Sequence, residues 1–139
     1  MPNGNDSVIG AVREWFAASP VIQNYGVNVD YLPNEPSYSI EVIPGDPVYK
    51  RYVDGGAMYQ LNFAFTANMG SDGDPRTMTA NEDFFQDLLN WVSEQDAKKA
   101  YPEIEGRKTV KIQTTSSGYL YNEGGDLSAY QAQFRLIYL

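Results

Sequence analysis

The stretch AYQAQFRLIYL (residues 129–139) ends the chain and alternates apolar and polar side chains along its whole length. Such alternation predicts a β-strand with its aromatic residues on one face and Gln131, Gln133 and Arg135 on the other. Chain termini usually fray, so a strand at the terminus needs burial of its aromatic rings to hold it. The sequence therefore predicts that these residues form a structural strand of a sheet.

A second long alternating stretch, AMYQLNFAFTAN (residues 57–68), has the same character. Tyr59, Leu61, Phe63 and Phe65 point to one side of the predicted strand, and small or amide side chains point to the other. The polar faces of the two strands carry almost no charge. Alternation alone favours ordinary solvent-facing surface for them, and contact with another protein is the alternative.

Two segments have helical periodicity. In the first, residues 5–20, the apolar positions form one stripe and Pro20 ends the helix. The second, NEDFFQDLLNWVSEQDAKK (residues 81–99), has a buried stripe that includes Phe85 and Leu88. Thr79 and Glu82 have the spacing of a capping box, so the second helix is predicted to begin there.

The remaining apolar runs are short and bounded by Pro, Gly, Asn or Asp, which is typical of strands. They are predicted at residues 26–32, 38–43, 48–53 and 108–115, with one more short strand within residues 117–126. The order α-ββββ-α-βββ has no βαβ alternation. It predicts a single α+β domain over residues 1–139, with a mostly antiparallel sheet and two helices packed on one face.

Composition excludes several kinds of chemistry. The chain has no cysteine and no histidine, which rules out Ser-His and Cys-His mechanisms and thiolate- or imidazole-bound metals. Neither a P-loop nor a dinucleotide-binding glycine motif occurs. We therefore expect no catalytic residues, no cofactor and no metal site. An enzyme that uses paired carboxylates alone is the least favoured alternative.

Charge and hydropathy indicate where such a protein would act. The formal net charge of −8 repels nucleic acid and anionic membranes, so sequence reading of nucleic acid is not expected. No apolar stretch approaches the length of a membrane span, and the first residues lack the pattern of a signal peptide. The sequence predicts a protein that is made in the cytoplasm and binds no membrane.

One basic segment stands out in this acidic chain. VYKRYVDGG (residues 48–56), here called the basic hairpin, sets Lys50 and Arg51 between Tyr49 and Tyr52 and ends in a turn at Asp54. It is equally compatible with a contact surface for an acidic partner and with an edge strand that its charges protect from unwanted pairing.

Acidic residues concentrate elsewhere. Residues 71–96 hold seven acids and one base, a local balance of −6. An acidic helix and a basic hairpin on one molecule allow head-to-tail contact between copies, which closes into a ring if the rotation permits. A solvated face is the default interpretation of such a charge run.

Four segments in order carry a resemblance to a known family: KRYVDGG, YQLNFAF, NEDFFQDLLNWVSEQ and GYLYNEGGDLSAYQAQFRLIYL. Over roughly residues 48–139 the chain resembles small minor capsid proteins of tailed phages and prophages of Gram-positive bacteria, within the wider tail-terminator group. The matched positions are Lys50, Arg51, Tyr52 and Asp54 in the basic hairpin and the strand from Arg135 to Tyr138.

The resemblance implies a virion structural protein at the head–tail junction, assembled in the host cytoplasm. Such proteins form rings, often six-fold, that cap the tail tube and dock the connector, and the family has no catalytic residues. The interface candidates are the hairpin residues Tyr49, Lys50, Arg51, Tyr52 and Asp54 together with Gln131, Gln133 and Arg135. A small-ligand or carbohydrate-binding module is the alternative, based on the many tyrosines and the acidic loops.

Overall fold

The computed structural model describes residues 4–22, 27–29, 37–70, 75–124 and 127–139, and their side chains within 8–22, 38–67, 83–116 and 130–139. Two helices and six strands occur in these residues. They are α1 (Gly4–Ala17), β1 (Val27–Val29), β2 (Ser37–Val42), β3 (Val48–Arg51), β4 (Ala57–Gly70), α2 (Pro75–Lys98), β5 (Thr109–Gly124) and β6 (Leu127–Tyr138).

All six strands belong to one open sheet. Five follow the order β1-β2-β4-β6-β5, and β3 pairs with the beginning of β4 beside β2. Only the β1–β2 pair is parallel. The β4–β6 ladder is the longest regular pairing and sets Phe63 opposite Phe134. The predicted α+β class with a mostly antiparallel sheet is confirmed.

Both helices contact the aromatic face of this sheet. Phe16 of α1 lies 5.9 Å from Phe63 and 5.6 Å from Phe134 between ring centroids. Phe85 of α2 lies 6.3 Å from Phe65 and 5.9 Å from Tyr130. Burial of each such ring contributes about 1.5–3 kcal/mol. These contacts hold the terminal strand in the sheet, as its alternation predicted.

The end of α1 is fixed by a second set of contacts. The indole N–H of Trp15 donates a hydrogen bond of 2.9 Å to the carbonyl of Ala100, just beyond α2. The Trp15 ring also lies 4.4 Å from that of Trp91. Since an indole N–H in a partly buried site needs an acceptor, this bond sets how the two helices meet.

The predicted element order is wrong in its last third. The two strands expected after the second helix and before the terminal strand form one continuous β5 of 16 residues. Its pairing with β6 contains four register shifts. Each shift is an irregularity of the bulge type, where a residue loses its partner but the strand continues. The serine- and glycine-containing stretch therefore bends the strand without ending it.

The predicted start of the second helix is also wrong. Helix α2 begins at Pro75, four residues before Thr79, so the Thr79–Glu82 box lies inside the helix. Proline is favoured in the first turn because its missing N–H needs no partner there and its fixed φ suits the helix. The preceding strand also runs further than expected, since β4 reaches Gly70.

Candidate functional site

The turn of the basic hairpin is closed by its own backbone. The amide of Tyr52 donates to the carbonyl of Gly56 at 2.8 Å, and that of Gly55 donates to the carbonyl of Tyr52 at 3.1 Å. The Asp54 carboxylate accepts a hydrogen bond of 3.0 Å from the Gly56 amide. Gly55 has φ of 93°, a conformation that a residue with a Cβ rarely adopts. Asp54 therefore has a structural role in shaping the tip.

Large apolar side chains are exposed on this hairpin. Tyr49 is 45% exposed, Tyr52 is 39% exposed and Val53 is fully exposed. The Lys50 ammonium lies 5.5 Å from the centroid of the Tyr52 ring, and Arg51 is exposed beside it. Three large side chains with exposed apolar surface therefore lie within five residues of one another on this hairpin.

An irregularity in β3 directs one of these tyrosines. The pairing of β3 with β4 shifts register between Val48 and Lys50, which leaves Tyr49 at the shift. The Asp46 carboxylate accepts a hydrogen bond of 2.8 Å from the Val48 amide and fixes the entry to the strand. The guanidinium carbon of Arg135 on β6 then lies 5.8 Å from the centroid of the Tyr49 ring. Tyr49 and Arg135, predicted as candidates from separate segments, are brought together by this contact.

The polar face of the sheet carries a hydrogen-bonded network. Gln131 donates from Nε2 to Thr66 Oγ1 at 3.2 Å, and Gln133 donates from Nε2 to Gln131 Oε1 at 3.2 Å. Further along β6, Arg135 donates from Nε to Asn62 Oδ1 at 3.2 Å. The Thr66–Gln131 and Asn62–Arg135 bonds join residues directly opposite each other on β4 and β6, whereas the Gln133–Gln131 bond runs along β6.

The centre of this face is buried within the chain. Thr66 is 1% exposed, Gln131 is 7% exposed, and Ser39 next to Thr66 is fully buried. The prediction of plain solvent-facing surface is therefore wrong for Thr66 and Gln131. Buried amides need hydrogen-bond partners, which explains why Gln131 bonds to Thr66 across the strands, whereas the buried Ser39 hydroxyl has no partner among the described residues. Gln131 offers little surface to a partner, whereas Gln133 and Arg135 are half-buried.

One end of the sheet gathers most of the basic residues. This is the end where β4 and β5 begin and β6 finishes, since Tyr59 pairs with Tyr138 and Tyr138 pairs with Thr109. Seven of the ten bases lie in the hairpin or in the segment from the end of α2 to the start of β5: Lys50, Arg51, Lys98, Lys99, Arg107, Lys108 and Lys111. An acidic chain thus has a locally basic end.

Arg107 is the base at this end that packs most closely against aromatic rings. Its guanidinium carbon lies 5.2 Å from the centroid of the Tyr59 ring and 5.6 Å from that of Tyr138. Burial raises the pKa of Tyr138; the positive charge of Arg107 lowers it by a smaller amount, and Tyr59 adds to the increase. Arg107 therefore packs over Tyr59 and Tyr138, the aromatic pair at the basic end of the β4–β6 ladder.

Acidic residues line the outer side of α2. Asp83, Asp87 and Glu94 are all exposed and recur four and seven residues apart, which places them on one stripe of the helix. We call these three residues the α2 acidic face. Within the described part of the chain, no ion pair or hydrogen bond involves their carboxylates. Asp96 differs, because its carboxylate binds the Tyr101 hydroxyl and the Ile112 amide.

Two concave regions bear on the alternative of a ligand-binding module. A cleft of about 410 Å³ lies between the start of α1 and the β2–β3 loop, and its lining has one aromatic ring, Tyr138, and one acid, Asp46. An open depression of about 490 Å³ follows α2 and is lined by Lys99, Tyr101 and Arg107 among others. Neither presents the row of aromatic rings that sugar binding by tyrosines would require.

The described residues contain no group of three or more acidic side chains arranged to hold a metal ion. Within those same residues, no helix combines the length and the hydropathy needed to cross a bilayer.

Val53 is the contact candidate that the sequence interpretation missed. It is the most exposed large apolar residue among the described side chains. A signal for it existed, since Asp54-Gly55-Gly56 marks a turn and the hydrogen bond from Gly55 to Tyr52 places Val53 within it, where a side chain has no strand neighbour to cover it.

Comparison with known proteins supports the fold. No protein-family model matches this chain, and no curated protein matches it. A solved structure whose name describes no function is 12% identical to this chain, with a TM-score of 0.53. The match covers 99% of this chain and 97% of that one. At this level of identity the likeness shows a shared fold alone, because one fold serves many functions.

Proposed function

We propose that this chain is a virion structural protein of a phage or prophage, a minor capsid or tail-terminator-like component of the head–tail junction. It acts by forming a ring of identical copies and by docking to the tail tube and the connector proteins, and it carries out no catalysis. The proposed sites of action are the host cytoplasm during assembly and then the virion. The resemblance over residues 48–139 supports the class of protein.

The basic hairpin is the observation that carries the proposal. It exposes Tyr49, Tyr52 and Val53 beside two unneutralised bases, in a chain whose net charge is −8. Protein interfaces are enriched in tyrosine and arginine, and their charged groups orient the partner.

The sheet supports the same proposal. The β4–β6 ladder pairs twelve residues of each strand without a register shift, and the aromatic core packs against it. A ring subunit has to keep its contact surfaces at a fixed angle, since a small change in that angle alters closure. A rigid ladder that reaches from the basic end to the far end of the domain meets this need.

Sedimentation velocity tests the proposal directly. The purified protein is measured over a wide range of concentrations, alone and with purified phage tail tubes. We expect a closed oligomer whose mass is a multiple of 15.6 kDa, formed at high concentration or on the tubes. A species of 15.6 kDa at every concentration that never co-sediments with tubes would contradict the proposal.

A charge reversal connects this test to the hairpin. Arg51→Glu should reduce assembly at least several-fold while the circular dichroism spectrum stays unchanged, because Arg51 is exposed. Lys111→Glu is the matched control, since it makes the same charge change at an exposed position on β5, at the opposite edge of the sheet. Equal assembly of wild type and Arg51→Glu would remove the hairpin from the contact.

A further inference from the structure

We infer that the basic hairpin of one copy docks on the α2 acidic face of the next copy, so that the ring is built from one repeated head-to-tail contact. This inference rests on the proposed function for the presence of a second copy. It goes further by assigning both halves of the contact to named surfaces of this chain.

The hairpin half offers two kinds of group. Tyr49, Tyr52 and Val53 provide apolar area that water now covers, and Lys50 and Arg51 provide positive charge next to it. The only described interaction of Lys50 beyond its strand pairing is with the Tyr52 ring, and the side chain of Arg51 has none. Both bases are therefore free to meet an acidic surface.

The α2 half offers complementary charge. Asp83 and Asp87 lie one helical turn apart on an exposed stripe that continues to Glu94. Beside this stripe, Gln86 donates from Nε2 to Asn90 Oδ1 at 3.1 Å, so two exposed amides lie next to the carboxylates. Carboxylates attract the two bases, and tyrosine hydroxyls can bond to amides or carboxylates.

One chain cannot bring these two surfaces together. The hairpin pairs with the start of β4, at Ala57 to Tyr59. The start of the α2 acidic face lies near the other end of that strand, because Phe84, next to Asp83, stacks 5.4 Å from Tyr38, which pairs with Ala67. Each residue of extended strand between Tyr59 and Ala67 adds about 3.3 Å to their separation. Two different patches that meet only between copies make a heterologous contact, which closes into a ring or continues as a filament.

The division of work between the groups follows from their exposure. Exposed ion pairs are weak individually and are screened by salt, so they set the orientation and the rate of encounter. The apolar surface of Tyr49, Tyr52 and Val53 is the area that docking removes from water, and it supplies most of the affinity. We therefore expect assembly that weakens at high salt without disappearing.

Complementary charge reversal tests the inference. Variant one carries Lys50→Glu with Arg51→Glu, and variant two carries Asp83→Lys with Asp87→Lys. Each variant alone should associate at least roughly tenfold more weakly than wild type, since attraction becomes repulsion at its contact. An equimolar mixture should recover assembly, because the acidic hairpin of one fits the basic helix of the other and the unchanged surfaces also match. Sedimentation velocity measures all three samples.

The outcomes separate the inference from the proposed function. Lys108→Glu with Lys111→Glu is the matched control, since it reverses two exposed bases of the same end away from the hairpin, and it should assemble normally. If wild type assembles and the mixture does not recover, the inference is overturned while the proposed function stands. If wild type never assembles, even on tail tubes, the proposed function itself fails. Unchanged circular dichroism of each variant confirms folding.

Discussion

At the scale of single residues, Asp96 joins the second helix to the edge strand. Its Oδ1 accepts hydrogen bonds from the Tyr101 hydroxyl at 2.9 Å and from the Ile112 amide at 3.2 Å. Asp96→Ala leaves the amide of Ile112, a residue that is only 2% exposed, without its acceptor. We therefore expect a loss of about 1–3 kcal/mol in the free energy of unfolding. Urea unfolding measures this loss.

Glu94→Ala is the control for Asp96→Ala. It removes a carboxylate from the exposed side of the same helix and should change the free energy of unfolding by no more than about 0.5 kcal/mol. Equal effects of the two substitutions would show that Asp96 contributes only charge.

Tyr101 makes the stability of the fold depend on alkaline pH. Burial raises the pKa of Tyr101 above 10.0, and the hydrogen bond to Asp96 and the charge of that carboxylate add to the shift. A group with a raised pKa in the folded state contributes stability below its unfolded pKa and loses it as pH rises through the folded value. We expect the free energy of unfolding to fall above about pH 10.

The variant Tyr101→Phe isolates this contribution. Its side chain at position 101 cannot ionise. Urea unfolding over about pH 9 to 11.5, the range in which tyrosines titrate, should therefore show a shallower decline in the free energy of unfolding than wild type shows. Identical slopes for wild type and variant would assign the alkaline loss to other groups.

At the scale of elements, α1 carries a glycine that its position does not require. A Cβ on Gly10 would meet no atom within 4 Å, whereas Gly106 has φ of 74°. Gly10→Ala should therefore stabilise the protein by about 0.5–1 kcal/mol through helix propensity. Gly106→Ala should destabilise it by about 1–2 kcal/mol because the left-handed conformation strains a Cβ. Thermal unfolding of the pair checks both signs, and two shifts in the same direction would contradict this account.

Periodicity predicted the elements better than their boundaries. The stripes of both helices and the alternation of β4 and β6 reflect burial, which acts over many residues, and the structure confirms them. The start of α2 depended on choosing between Pro75 and the Thr79 box, and two local signals compete there without tertiary information.

The same limit explains the error in β5. Ser, Gly and Asn in residues 116–122 are typical of turns, so the sequence predicted a break after residue 115. Pairing with β6 on one side overrides this local preference and keeps the chain extended through its register shifts. Propensity could not anticipate this, because the partner strand lies later in the sequence.

At the scale of the whole molecule, the hairpin and the α2 acidic face were visible in the sequence as charge, and their placement was not. The Arg135 guanidinium reaches the Tyr49 ring from across β4, and Gln131 is buried on the predicted polar face. Both depend on long-range pairing. Residue types therefore predicted which side chains are available for contact, and the fold decided which of them share a surface.

The proposed assembly should depend on ionic strength. Because its orienting charges are exposed, raising the salt from about 0.05 to 1 M shortens the Debye length to about 3 Å and weakens their attraction. We expect the protein concentration at which half of the chains are assembled, measured by sedimentation velocity, to rise with salt. Some oligomer should remain at about 1 M salt, because the apolar contacts of Tyr49, Tyr52 and Val53 are not screened. Complete insensitivity to salt would exclude charge from the contact.

Disulfide trapping of neighbouring copies tests the central claim most directly, and the absence of native cysteine makes it clean. The double variant Val53→Cys with Asp87→Cys carries one thiol on each side of the proposed contact. Under mild oxidation it should give a covalent ladder in steps of 15.6 kDa on a denaturing gel, while each single variant stops at a dimer. A double variant that sediments as an oligomer yet yields no ladder would contradict the account.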